Sequence, residues 1–367
     1  MQIVSFIKKN TVMFVALFAA VVTSIFIKPD AAYIGYFDFK TLTCLFCVLA
    51  VVCALKEISF FYILAHKIVE RFRTARLCVL VLVYITFIGS MLIANDMALL
   101  TFLPLGFIVL TTTGKEKYMA FTFIMQNIAA NLGGMLTPFG NPQNLYLYTK
   151  FGIPTGEFMA IMAPCFVFAV MLITVCCLVF VKNEPLVVED IHVKLPKART
   201  AIYLLLFLLA VIIVFRGIDY RWGLVVIFIS LLFLDRRALV SVDYPLLLTF
   251  VFFFVFAGNM ARIEAVREFF DLLLQKNTLL FSILSCQFIS NVPSAILLSQ
   301  FTDNYRELLL GVNIGGVGTL ISSLASLITF REYVKNNPGK TWYYIALFSA
   351  FNFVFLILLT VFAIYTI

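Results

Sequence analysis

Residues 118–151 form an apolar run that no single helix can traverse undisturbed. In its middle lies Asn131-Leu-Gly-Gly-Met-Leu-Thr-Pro-Phe-Gly-Asn-Pro-Gln-Asn144. Pro138 and Pro142 remove amide donors, and each glycine weakens a helix by about 1 kcal/mol. In lipid, broken backbone survives only where protein or a watery cavity covers it. The stretch therefore predicts a broken membrane helix beside a mid-membrane cavity, where freed amides, carbonyls and Asn side chains can hold a solute. The competing reading is a polar loop between two short helices. A second copy of the pattern further along the chain argues against it.

The setting is a membrane protein. The chain is 63% hydrophobic and only 13% charged, against roughly 25% charged in soluble domains. Its apolar segments are long enough for helices rather than barrel strands. The net charge of +8 sits in short loops between spans, where it reports orientation and not nucleic-acid binding. The cysteines lie mostly inside apolar segments. Cys44 and Cys47 form a CxxC within a span, with no second pair or histidine cluster, so they read as packing. His66 and His192 fall in loop or surface-helix contexts. Lys8-Lys9 followed by an apolar stretch resembles a signal peptide, but the run is long and lacks a small-residue cleavage site, so it reads as a first span.

The expected order is as follows. Spans cover residues 11–27 and 39–55. Residues 56–76 carry Ile58, Phe61, Leu64, Ile68 and Phe72 at helical spacing beside one charged face, a helix lying on the membrane surface. Residues 77–113 hold Ala94-Asn95-Asp96 at their centre and read as a re-entrant hairpin. The broken span 118–151 and a full span 155–181 close the first half, residues 1–181. A linker with one connecting span occupies 182–221. The second half, 222–367, repeats the scheme with a surface helix at 262–277, a hairpin at 278–306 tipped by Ser290-Asn291-Val-Pro293, an interrupted span at 307–333 and a closing span from 341. The second interruption lacks proline and reads as the milder one.

Five features recur in the same order. Asp38 and Asp243 each precede a span, and a surface helix and an Asn-tipped hairpin follow. Asn131-x-Gly133-Gly134-x-x-Thr137 matches Asn313-x-Gly315-Gly316-x-x-Thr319, and a closing span ends each half. If the hairpins do not cross, the connecting span turns the second half upside down. The N-terminal side then carries 18 of the 27 Lys and Arg, and the positive-inside rule puts the N-terminus in the cytoplasm. The fold class is thus an all-α polytopic membrane protein, an inverted repeat with two re-entrant hairpins and two broken helices. That is transporter architecture.

Asp96 is the sole acidic residue in the hairpin cores. A carboxylate in the bilayer costs at least roughly 2.5–3.5 kcal/mol and needs a partner or a task. It can ligate Na⁺, carry a proton or cap a helix. Asn95 and Asn291 each offer one acceptor and two donors without charge. They suit a cation or an oxyanion, or are ordinary caps. Ser290, Thr137, Asn141 and Asn144, with Thr319, Ser322 and Ser323 from the second break, complete the candidate substrate contacts. Gly133, Gly134, Gly140, Gly315 and Gly316 supply accessible backbone. Asp96, Asn95 and Asn291 are the coupling-ion candidates. No Lys or Arg lies in the hairpin cores or breaks, so an anion would rest on amides, hydroxyls, helix ends and a bound cation.

These motifs resemble the ion-transporter superfamily that includes arsenite-efflux permeases, citrate–metal transporters, some Na⁺/H⁺ antiporters and divalent anion/Na⁺ symporters. The resemblance spans nearly the whole chain. The Gly-Asn-Pro-Gln-Asn run is most similar to the anion-permease, citrate-transporter-like branch. In the symporters, Ser-Asn-Thr tips hold Na⁺ and a carboxylate. Here the tips read Ala94-Asn95-Asp96 and Ser290-Asn291-Val292, which argues against dicarboxylate binding of that type and towards proton or cation coupling. The resemblance implies an elevator mechanism and a homodimeric scaffold.

The expected function is secondary transport of a small anion across the inner membrane, coupled to Na⁺ or H⁺. The lipid bilayer and a second copy of the chain are the expected partners, with no nucleic acid, no cofactor and no metal other than Na⁺. Arsenite efflux, Na⁺/H⁺ antiport and an anion channel are the alternatives. An enzyme is not expected: an intramembrane aspartyl protease needs two facing Asp residues, and only Asp96 is so placed.

Overall fold

A computed structural model describes residues 10–186 and 195–366. His192 and Lys8-Lys9 lie outside them. The described residues are almost wholly helical, with no strand and one isolated bridge between Thr74 and Pro185. Eight of their helices are long and apolar enough to cross a membrane.

Helix α1 (Thr11–Phe26) leads to α2 (Phe39–Glu57), which starts where Asp38 accepts the Thr41 N–H at 3.0 Å. The expected surface helix is shorter than its pattern. α2 absorbs Lys56, the backbone turns through the left-handed region at Ser59 (φ 55°), and α3 covers only Phe60–Val69. Leu64 and Ile68 remain exposed, but His66 is buried, its Nδ1 3.7 Å from Glu70.

The first hairpin is α4 (Ala75–Ile93) and α5 (Asn95–Thr112), reversed at Ala94 with φ 65° and ψ 149°. The first broken span is α6 (Met119–Gly133), a 3-10 turn Gly134–Leu136, and α7 (Pro142–Lys150). Proline opens α7 where a missing donor costs nothing. Then come α8 (Thr155–Phe180), α9 (Lys197–Val214), α10 (Tyr220–Leu234), α11 (Arg236–Val240) and α12 (Tyr244–Ala261). Asp243 caps α12 through Leu246 N–H at 3.0 Å, as Asp38 caps α2. The recurrent aspartate is thus an N-cap, which fixes where each of these helices begins.

The second surface helix and the first limb of its hairpin form one element. α13 (Glu264–Ile289) bends at Asn277, whose side chain caps the new limb by accepting Leu280 N–H at 2.7 Å. The reversal to α14 (Asn291–Leu298) is at Ser290, φ 75° and ψ 159°. Neither reversal is a glycine, and such backbone costs about 1–3 kcal/mol. α15 (Tyr305–Ile314), α16 (Leu324–Asn336) and α17 (Thr341–Thr366) follow.

The second break is not the milder one. No helix runs from Gly315 to Ser323. Proline is not needed because Gln287 takes over the backbone: its Nε2 donates to the Gly315 carbonyl at 2.9 Å and its Oε1 accepts Thr319 N–H at 2.9 Å. The paired glycines allow close packing. A Cβ at Gly133 would collide with the Phe87 carbonyl of α4, and one at Gly315 would lie 2.8 Å from Cys286 Cβ of α13.

Two packed bodies result. α1 lies on α12, and α2 on α9, α10 and α11. The hairpins and broken spans pack on one another and on α8 and α17. Exposed apolar side chains such as Val167, Met171 and Val175 of α8 line the outside, as lipid-facing helices require. Cys44 and Cys47 are buried free thiols in the core of α2.

Candidate functional site

In each half the hairpin tip is tied to the break by the same two bonds. Asn95 N–H donates to the Gly140 carbonyl at 3.1 Å, and Asn291 N–H to the Ser322 carbonyl at 2.9 Å. Thr137 Oγ1 donates to the Met91 carbonyl at 2.7 Å, and Thr319 Oγ1 to the Gln287 carbonyl at 3.0 Å. At each tip the asparagine Oδ1 accepts the next amide at 2.9 Å, from Asp96 and from Val292.

Buried asparagines then join the halves. Asn141 Nδ2 donates to Asn313 Oδ1 at 3.1 Å, and Asn313 Nδ2 donates to Asn144 Oδ1 at 2.6 Å. Asn144 Nδ2 donates to the Gly134 carbonyl at 3.1 Å. Asn131 accepts from Asn95 Nδ2 at 3.2 Å, and Asn127 reaches Ser326 and Asn352 at 3.3 and 3.4 Å. Asn313 and Asn144 use both ends of their amides, whereas Asn141 uses only its Nδ2, on Asn313 and on the Asn131 carbonyl.

Both tips face one cavity of about 890 Å³. Asn95, Asp96, Ser290 and Asn291 line it, together with Gln143 at the start of α7. Lys56, Glu57, Arg331, Glu332 and Lys335 also line it, at the membrane side where α2 and α16 end. Of the residues picked from sequence, Thr137, Asn141, Asn144, Thr319, Ser322 and Ser323 stand behind the wall as hydrogen-bonded supports. Ser322 donates to the Gly316 carbonyl at 3.0 Å, and Ser323 caps α16 at Ser326 N–H, 3.2 Å. Gly316 lies against the second tip: a Cβ there would be 3.0 Å from Asn291 Nδ2. Gly134 and Gly140 pack on each other, and a Cβ on Gly140 would be 2.5 Å from the Gly134 carbonyl.

At the tips and the first break, three buried oxygens have no hydrogen-bond partner among the described residues: Asp96 Oδ1, Asn141 Oδ1 and Gln143 Oε1. Asp96 and Gln143 line the cavity. Sequence reading passed over Gln143. The available signal was its place next to Pro142 at a helix start, where backbone amides have no internal acceptor. It also passed over Gln287.

A second cleft of about 390 Å³ opens at the other end of the molecule. Continuing the Asn131–Asn313 register, its Tyr146, Thr149 and Lys150 correspond to Ile328, Arg331 and Glu332 of the large cavity. By the Asp38–Asp243 register, its Asp38, Lys40 and Gly258 correspond to Asp243, Pro245 and Cys53. The two openings are images of each other, one shallow and one reaching the tips.

Residues 3–305 match the family model described as citrate transporter. An uncharacterized transporter of Methanocaldococcus jannaschii is 34% identical over 295 residues, 80% of this chain and 81% of that protein. The inner membrane protein YbiR of Escherichia coli is 31% identical over 304 residues, 79% of this chain and 78% of its own. With its inverted repeat, its two broken helices and this match over most of its length, the chain belongs to the citrate transporter family and is a polytopic membrane transporter.

Proposed function

We propose that the protein is a secondary active transporter of a small anion, coupled to Na⁺ or H⁺. The observation that carries this reading is the single cavity shared by the tips of two opposed hairpins, with an unpartnered carboxyl oxygen on Asp96 inside it. Asp96, Asn95 and Asn291 take the coupling ion, and the helix ends at the breaks take the anion. The paired clefts and the two packed bodies support alternating exposure by an elevator-like displacement of the hairpin-and-break body. The excess of Lys and Arg on the N-terminal side supports a cytoplasmic N-terminus. The E. coli relative's description supports an inner membrane location, and a homodimer built on the α1–α2 and α9–α12 body completes the reading.

Purified protein in proteoliposomes tests it. Imposed Na⁺ or pH gradients should drive accumulation of one member of a panel of carboxylates and inorganic oxyanions above its outside concentration. Flux that only equilibrates the solute would mark a channel. Cation exchange with no anion movement would mark an antiporter. Arsenite extrusion alone would place the chain with the efflux permeases.

A further inference from the structure

Gln143 is only 1% exposed, yet its side chain makes no hydrogen bond among the described residues. The fully buried atom without a partner is Oε1, and Nε2 makes no hydrogen bond to the described residues either. Its backbone N–H is also free. Pro142 precedes it, and Asn141 at the N-cap makes no side-chain bond to the helix start. Leaving the buried Gln143 Oε1 without a donor is unfavourable. That cost is offset if something else occupies the cavity it faces.

The second half shows what the same position looks like when nothing is asked of it. In the common register Gln143 corresponds to Ala325, fully buried and apolar, and there Ser323 caps the helix. At the tips, Asp96 corresponds to Val292. Unpaired polar atoms in this register pair fall only on the first half.

We infer that Gln143 contacts the cargo and sets its specificity, and that the cargo is a small oxyanion which keeps an O–H of its own. This rests on the transport reading above. The backbone N–H of Gln143, at the positive end of α7, takes an anionic oxygen. The side-chain amide pairs with a neighbouring oxygen and its O–H, one donor and one acceptor on each side. A fully deprotonated oxyanion without a hydroxyl leaves the amide oxygen unpaired and is bound less tightly.

The test uses the full-length wild-type protein, Gln143→Met and Gln143→Glu, each reconstituted and checked for thermal unfolding. The probes are two matched pairs: malate against succinate, and inorganic phosphate against sulfate. Wild type should bind and exchange the hydroxyl-bearing member of at least one pair about tenfold or more better than its partner. Gln143→Met, of similar volume, should raise KM and erase that preference while the maximal rate and unfolding temperature hold. Gln143→Glu should lose anion binding through repulsion. It also stands as the folded comparison if the methionine variant does not assemble. Unchanged affinity and preference in a folded variant overturn the role of Gln143. Wild-type exchange of anions with no preference for the hydroxyl overturns the cargo class and leaves transport standing. A folded wild type that moves no anion overturns the transport reading, and this inference with it.

Discussion

The two halves share a backbone and differ in chemistry. Ala94 and Ser290 reverse their hairpins at nearly the same dihedral angles, and the tip-to-break bonds recur in each half. On that common frame the first half places Asp96 and Gln143 at the cavity wall, where the second places Val292 and Ala325. The first break leaves its helix start uncapped, and the second closes it with Ser323. Geometry was duplicated, and the tip asparagine was kept in both halves, but the carboxylate and the uncapped glutamine stand only in the first.

The sharpest way to break this comparison is to exchange the tips. Asp96→Asn should reduce gradient-driven uptake to the level of empty vesicles, with the thermal unfolding midpoint retained, whereas Val292→Ala should leave uptake close to wild type. Equal losses would mean that both tips carry chemistry. Next in size is Asn313→Ala, which leaves Asn144 Oδ1 without its donor and Asn141 Nδ2 with only the Asn131 carbonyl. About 1–3 kcal/mol should be lost for each polar group left unpaired, read as a lower unfolding midpoint in detergent. A smaller effect of the opposite sign should come from the reversals. Ala94→Gly and Ser290→Gly each relieve an unfavourable φ and should raise the midpoint by comparable amounts, on the order of 1 kcal/mol. Stabilisation by only one of them would show that the strain is not shared.

The smallest effect concerns the hairpin bases. Glu307 of the second half accepts Leu279 N–H at 3.0 Å. In the first half Glu184 is held by Lys117 at 2.6 Å and Lys115 at 2.9 Å. Bonding to Lys117 and Lys115 lowers the Glu184 carboxyl from its ordinary 4.5 to about 2. A lowered carboxylate stabilises above its ordinary value and loses that contribution as pH falls towards the lowered one. Proteolysis of the 182–186 segment should therefore be flat with pH above 4.5 and accelerate only in stronger acid. Glu184→Gln should remove that acid sensitivity and change transport little, as a solvent-reached ion pair contributes little.

Much of this was legible in the chain. Gly133, Gly134, Pro138 and Pro142 forbid a continuous helix by local rules, the recurrence of Asn-x-Gly-Gly-x-x-Thr located the second break, and Asn95 and Asn291 at the centres of apolar runs located the tips. What local rules cannot carry is who satisfies whom. The second break looked mild because it has no proline, but Gln287, 28 residues before Gly315, replaces the helix's own hydrogen bonds. The Asn141–Asn313–Asn144 chain joins elements far apart in sequence, so its members read as free ligands when they are supports. Gln143 is the reverse case, ordinary by position and conspicuous only in the folded chain, where its buried Oε1 lacks a partner. His66 lies in the expected helix, but α3 buries the face carrying Ile63, His66 and Val69 and leaves Leu64 and Ile68 exposed.

The joint between the halves has a consequence for energetics in the membrane. Asn127, Asn131, Asn141, Asn144 and Asn313 hold the two breaks together without a single ionised group. A girdle of neutral amides incurs no Born penalty when it changes depth in lipid, and the transmembrane voltage exerts no pull on it. Under the proposed transport cycle the girdle itself adds nothing to the charge moved, so the current per cycle would count the cargo, the coupling ion and the ionisable side chains that travel with them, Asp96, Lys150 and Arg331 among them.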